Sequence, residues 1–124
     1  MPKTAIVIDD NTDNCTLFRT ILENDGVQVT VYENPEEAFA NLGQQSYDLC
    51  LLDLQMPILN GIHILRSIRP SEQHAAMKII VITAQAQMVS SEVNELADFV
   101  MYKPISMRNF AQFSRRLLKI QQTL

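Results

Sequence analysis

The sequence predicts an α/β fold: one sheet of five parallel strands with helices packed on both faces, in which the order 2-1-3-4-5 would set strands one and three side by side. Three observations carry this. Five short apolar runs lack strict alternation, as strands buried on both faces do. Segments with helical signals separate the runs, so the connections are crossovers rather than hairpins. With 124 residues, 47% of them apolar and 19% charged, the chain is long enough for one real core.

The elements follow in order. The first run, residues 4–9, is closed by Asp9 and Asp10. Asn11, Thr12 or Asp13 then caps a helix whose apolar face is Leu17, Phe18, Ile21 and Leu22. Gly26 ends it, where a left-handed residue is wanted. The second run, residues 27–32, leads into Asn34-Pro35-Glu36-Glu37: an Asn cap, Pro in the first turn and two acids at the positive end of the dipole. The third run, residues 47–53, ends on Asp53. The helix after Asn60-Gly61 carries Ile62, Ile64, Leu65 and Ile68 before Pro70 stops it. The fourth run, residues 77–83, ends on Thr83, and the helix behind it, around residues 89–96, has the weakest periodicity. The fifth run, residues 97–102, precedes Lys103. The last helix repeats Met107, Phe110, Phe113, Leu117 and Ile120 at three to four residues, with Arg115, Arg116 and Lys119 on its other face. It stays in phase to Leu124. No repeat, low-complexity stretch or linker divides the chain, so residues 1–124 are expected to form one domain.

Composition excludes several classes. A net charge of −4 and a pI near 5.0 argue against direct nucleic-acid contact, which needs clustered Lys and Arg. The apolar run after Met1-Pro2-Lys3 is closed too early for a signal peptide, and no run approaches the roughly 20 residues of a membrane span. A cytoplasmic protein is expected. Cys15 and Cys50 show no metal or redox spacing and read as buried free thiols. Gly26, Gly43 and Gly61 stand alone, so no glycine-rich cradle exists for phosphate; if this protein handles phosphate, it must do so with side chains and a metal. His63 and His74 read as surface or helix-flank residues, and Met56, Met77, Met88, Met101 and Met107 as packing.

Ligands of open parallel sheets bind beyond the carboxyl ends of the strands, where strand order reverses. Asp9 and Asp10 close the first strand there, Asp53 the third and Thr83 the fourth, and Lys103 follows the fifth. Any one of these is an ordinary turn former or cap. Five at one edge point to a site. Two unit charges about 4 Å apart repel by roughly 4 kcal/mol at an effective dielectric near 20. Converging carboxylates therefore raise a pKa or recruit a cation. Hard oxygens with no His or Cys among them suit Mg²⁺, and a carboxylate beside Mg²⁺ is an arrangement used in phosphoryl transfer.

Four fragments in order, Ile6-Val7-Ile8-Asp9-Asp10-Asn11, Leu51-Leu52-Asp53-Leu54-Gln55-Met56-Pro57 with Asn60-Gly61, Val81-Ile82-Thr83-Ala84, and Tyr102-Lys103-Pro104-Ile105, make the chain resemble the receiver domain of two-component response regulators. The resemblance implies a flavodoxin-like (βα)5 fold with Asp53 as phosphoacceptor. It implies that Asp10 is the principal Mg²⁺ ligand, Asp9 its companion acting through water, and Gln55 a ligand through its backbone carbonyl. Thr83 and Lys103 would grip the phosphoryl group with the amide of Ala84, and a cis peptide would join Lys103 to Pro104. Gln55 and Gln85 would border the path of the attacking water and set the phosphoaspartate lifetime. The implied donor is a sensor histidine kinase or a histidine phosphotransfer protein, and the implied reader a downstream protein or fused output domain. By this resemblance the chain is no enzyme beyond catalysing its own phosphorylation and dephosphorylation. The last helix offers a surface for a homodimer.

The chain departs from the family in places. The usual aromatic three residues before the lysine is Val100; Tyr102 faces the same side two residues on, and whether it substitutes stays open. Leu96-Ala97 stands where Gly-Ala is usual. The Thr83-to-Lys103 gap is shorter than the family pattern, which predicts a short or irregular fourth helix. Two alternatives stand beside this reading. One is a degenerate, phosphorylation-independent interaction module. The other is an aspartyl-phosphate phosphatase, which Asp53-Leu54-Gln55 disfavours because such enzymes carry a second Asp two residues after the first.

Overall fold

In a computed structural model, which describes residues 2–56 and 61–120, the apolar runs become β1 (Thr4–Ile8), β2 (Gln28–Tyr32), β3 (Leu49–Asp53), β4 (Lys78–Thr83) and β5 (Phe99–Tyr102). The helices are α1 (Thr12–Asn24), α2 (Pro35–Asn41), α3 (Gly61–Ile68), α4 (Ser91–Leu96) and α5 (Met107–Leu118). The five strands are parallel in the order β2-β1-β3-β4-β5, as the sequence predicts. Side chains alternate between two cores. Ile6, Ile8, Cys50, Leu52, Ile79 and Val81 face α2, α3 and α4, and Ala5, Val7, Leu49, Leu51, Ile80 and Ile82 face α1 and α5.

The strands are shorter than their apolar runs. Asp9, Val27, Tyr47, Met77 and Ala97 fall outside the ladders. Val27, Tyr47 and Met77 are nonetheless buried, so their hydrophobicity reports a plug beneath the sheet rather than strand pairing. Asp48 works there too, its Oδ2 accepting from the Thr4 amide at 2.8 Å.

Caps set the helix ends. Asn11 Oδ1 accepts from the Asn14 amide, and Asn34 Oδ1 from the amides of Glu36 and Glu37. Gly26 is left-handed at φ +82°. Pro57 and Asn60 lie outside the described residues, and α3 begins at Gly61. The fourth helix is short, six residues. It starts at Ser91 rather than residue 89 because a 3-10 turn, Ala86–Met88, precedes it and the Ser90 hydroxyl accepts from the Val93 amide.

Three expectations need correction. The last helix does not continue to Ile120: it ends at Leu118, where Lys119 turns left-handed at φ 57°, and Leu124 lies outside the described residues. Met107 is solvent-exposed rather than part of the apolar face, because the seam runs through Phe110, Ser114 and Leu118. His74 is buried rather than on the surface. It sits in a second 3-10 turn, Glu72–His74, and its Nδ1 has no partner among the described residues. Cys15 and Cys50 are buried free thiols. No described helix is long and apolar enough to cross a membrane.

Candidate functional site

The order of the strands brings the polar residues together. β1 and β3 are neighbours, so Asp9 and Asp10 beyond β1 meet Asp53 at the end of β3. One oxygen from each of the three carboxylates lies within 4.8 Å of the others. Asp9 and Asp53 are buried, whereas Asp10 is exposed at the mouth.

Lys103 reaches the cluster from beyond β5. Its Nζ lies 3.1 Å from Asp53 Oδ2 and 3.6 Å from Asp9 Oδ2. Its amide donates to the Thr83 carbonyl at 2.9 Å, and the peptide to Pro104 is cis. Burial works against the Lys103 charge, yet the carboxylates of Asp9 and Asp53 outweigh it and hold the ammonium above its ordinary pKa.

The two buried carboxylates are held by local backbone. Asp53 Oδ1 accepts from the Gln55 amide at 3.0 Å. Asp9 Oδ1 accepts from the Asn11 amide at 2.9 Å, and the Asn14 side chain donates to its Oδ2 at 3.3 Å. Burial raises the Asp9 pKa and the Asp53 carboxylate raises it further, against the lowering from the Asn11 amide and from Lys103. Three carboxylates against one ammonium leave an excess of two negative charges in a cleft of about 510 Å³ lined by Asp10, Asn11, Asp53, Gln55, Met56 and Lys103. All donors in this set are hard oxygens, and room is left for water. The residues fit Mg²⁺ and do not fit zinc.

Thr83 ends β4 one position beyond Ile82, the register partner of Asp53. Its hydroxyl is turned away into its own loop, accepting from the Gln85 amide at 3.0 Å. Ala84 is exposed beside it. Val100 and Tyr102 sit in a second cleft, with Asn94, Ala97, Asp98 and Phe99. Val100 packs on the α2–α4 core, and Tyr102 is half-exposed in register with Thr83.

Some contributors were not visible in the sequence. Asn14 has no motif that ties it to Asp9. Gly61 was legible as a helix start, but its role is closer. A Cβ there would lie 2.5 Å from the Asp53 carbonyl oxygen and 2.8 Å from Leu54 Cα, so only glycine lets α3 approach the end of β3.

Comparison with known proteins agrees in kind. The family model described as "Response regulator receiver domain" matches residues 5–114. The chain is 28% identical over 114 residues to the polar-differentiation response regulator DivK of Brucella anthropi, covering 90% of this chain and 93% of that protein. It is 33% identical over 115 residues to the sensor protein GacS of Pseudomonas syringae, covering 87% of this chain but only 12% of that protein. Among solved structures, the response regulator protein TrrA of Thermotoga maritima, in complex with Mg(2+)-BeF, superposes with a TM-score of 0.81 at 28% identity, covering 93% of this chain and 98% of that one.

Proposed function

The chain belongs to the response regulator receiver domain family, and from that premise we propose that it is a phosphoaccepting signalling switch that takes a phosphoryl group on Asp53. The observation that supports this most is the Lys103 ammonium 3.1 Å from Asp53 Oδ2 within a three-carboxylate cleft.

An Asp53 carboxylate oxygen attacks the phosphorus of a phosphohistidine, on a sensor histidine kinase or a histidine phosphotransfer protein. The O–P bond forms as the P–N bond breaks. The leaving imidazole keeps the electron pair and takes a proton, and the product is an acyl phosphate. Lys103 holds the transferred group by pairing with one of its oxygens, and the Gln55 amide orients Asp53. Thr83 leaves the Gln85 amide to bond a phosphoryl oxygen, helped by the Ala84 amide. Asp10 and Asp53, with Asp9 and the Gln55 carbonyl in support, would hold Mg²⁺, which would supply charge neutralisation for the phosphoryl oxygens.

Repacking around β4 and β5 follows, with Val100 and Tyr102 at the moving seam. The switch is read by a downstream protein, a fused output domain or a second copy. Water later hydrolyses the acyl phosphate along a path bordered by Gln55 and Gln85. The only reaction catalysed is the chain's own phosphorylation and dephosphorylation, in the cytoplasm, with residues 1–124 acting as one receiver unit.

Intact mass after incubation with acetyl phosphate and Mg²⁺ tests the proposal. One added phosphate is expected, absent in Asp53→Asn and in a chelator control. No mass gain with metal present, or equal gain in Asp53→Asn, overturns it.

A further inference from the structure

α4 is held to its neighbours largely by charge. Val93 is its one buried residue, so apolar packing gives it little hold. Two arginines supply the rest. Arg66 of α3 grips the first turn of α4 as a fork, Nε to Glu92 Oε2 at 2.9 Å and Nη2 to Glu92 Oε1 at 2.7 Å. Arg69, just beyond α3, fixes the last turn: Nη1 donates to the Leu96 carbonyl at 3.4 Å and to Asp98 Oδ2 at 3.0 Å. Its Nη2 donates to the carbonyls of His74 at 3.1 Å and Met77 at 2.9 Å. Asp98 Oδ2 also accepts from the Ile79 amide at 2.8 Å.

The two ends of α4 are therefore held differently. At the Arg69 end the guanidinium, four backbone carbonyls including that of Ala75, the Asp98 carboxylate and the Ile79 amide share one network, and the arginine side chain is 19% exposed. At the other end the one ion pair, its side chains 52% and 43% exposed, adds to the partly buried packing of Met88 and Val89 on the core. That exposed end closes the loop from Thr83 to Ser90, whose other end is the β4 ladder. Within this loop the Thr83 hydroxyl spends both its bonds on Gln85, accepting from the amide at 3.0 Å and donating to the carbonyl at 3.4 Å.

We propose that the Arg66–Glu92 fork is a latch: it holds the Thr83 loop in its unphosphorylated arrangement and so sets how readily Asp53 accepts a phosphoryl group. The inference rests on the phosphoacceptor reading above. A group on Asp53 that recruits Thr83 must draw the hydroxyl out of its loop, and the fork opposes that movement of the loop's far end. The two are coupled because the fork contacts one arrangement better than the other. Arg69 is the fixed post and Glu92 the free catch.

Calorimetric titration with beryllofluoride in the presence of Mg²⁺ tests the latch. The proteins are wild type, Arg66→Gln, Glu92→Gln, the swapped Arg66→Glu/Glu92→Arg, and Asp53→Asn as the control without an acceptor. Each single variant is expected to bind about two- to fivefold more tightly, the scale of an exposed ion pair. The swap is expected to return affinity to the wild-type value, which a merely structural loss would not do. Unchanged or weaker binding in the single variants, or a swap that fails to restore, overturns the latch. Failure of the wild type itself to take up beryllofluoride overturns the phosphoacceptor reading beneath it, so the two failures are distinct.

Discussion

At the scale of single residues, Asp9 and Gly61 show how tightly the site is drawn. Asp9 is buried beside Asp53, and its carboxyl titrates above its ordinary range because of that burial first and the neighbouring charge second. A carboxyl raised on folding costs the fold in full above its folded pKa, and the cost shrinks as pH falls below that and is gone below the unfolded pKa. Without metal, Asp9→Asn is therefore expected to raise Tm at neutral pH by about 2–4 °C, with the gain shrinking toward acid pH. Thermal melts in chelator across that range check it. A loss of stability at neutral pH would contradict the assignment of cause. Gly61 acts by absence of a side chain. Gly61→Ala forces backbone apart at Asp53 and Leu54. It is expected to cost about 1–3 kcal/mol in urea unfolding and to slow phosphorylation by acetyl phosphate. The site's charged members were legible because each lies at or just beyond the carboxyl end of an apolar run, a position that sequence alone reveals. The close approach at Gly61 was not, since it depends on where α3 lands against β3.

Among the elements, α4 and α5 sit at opposite ends of one scale. α5 anchors by packing: Phe110 is fully buried, its ring centroid 4.9 Å from that of Phe18 on α1, and Arg115 pairs with Asp25 at 2.9 Å. Phe110→Ala is expected to cost about 3–5 kcal/mol, measured by denaturant unfolding. α4, with Val93 as its one buried residue, should exchange its amide hydrogens well before α1 and the central strands do. Mass-resolved exchange that finds α4 as protected as β3 would reject this. The shortness of α4 could be read from the spacing of Thr83 and Lys103. The seam of α5 could not be placed, because Met107 fits the apolar period yet lies beyond the reach of the sheet. The strands ran long for a related reason: Val27, Tyr47 and Met77 are apolar to seal the sheet's lower rim, and periodicity does not separate sealing from pairing. The arginine contacts were out of reach as well, since the residues of the Arg66–Glu92 pair stand 26 positions apart in the chain.

For the molecule as a whole, the two thiols report on its two layers. Cys15 belongs to the core under α1 and α5, Cys50 to the core under α2, α3 and α4. Burial pushes both up to about 12, so neither ionises near neutral pH in the folded state. A sheet shared by both cores should make them unfold together. Thiol labelling along a urea series is expected to show one midpoint for both cysteines, and two midpoints would mean that the layers come apart separately. The order of the strands was legible because it explained why carboxylates 44 residues apart, at 9 and 53, should meet.

Lys103 carries a last consequence. Its amide is bonded to β4 at Thr83 while its ammonium crosses to Asp53 at the end of β3 and to Asp9 beyond β1. Neighbouring strands lie about 4.8 Å apart, so one side chain braces the sheet from its open rim inward. A brace transmits load in both directions. With Asp53 phosphorylated as proposed, any molecule that grips the β5 rim more firmly in one state than the other would shift the equilibrium occupancy of the phosphoryl group, and the phosphoryl group would shift that grip by the same factor. The rim is thus an input as much as an output.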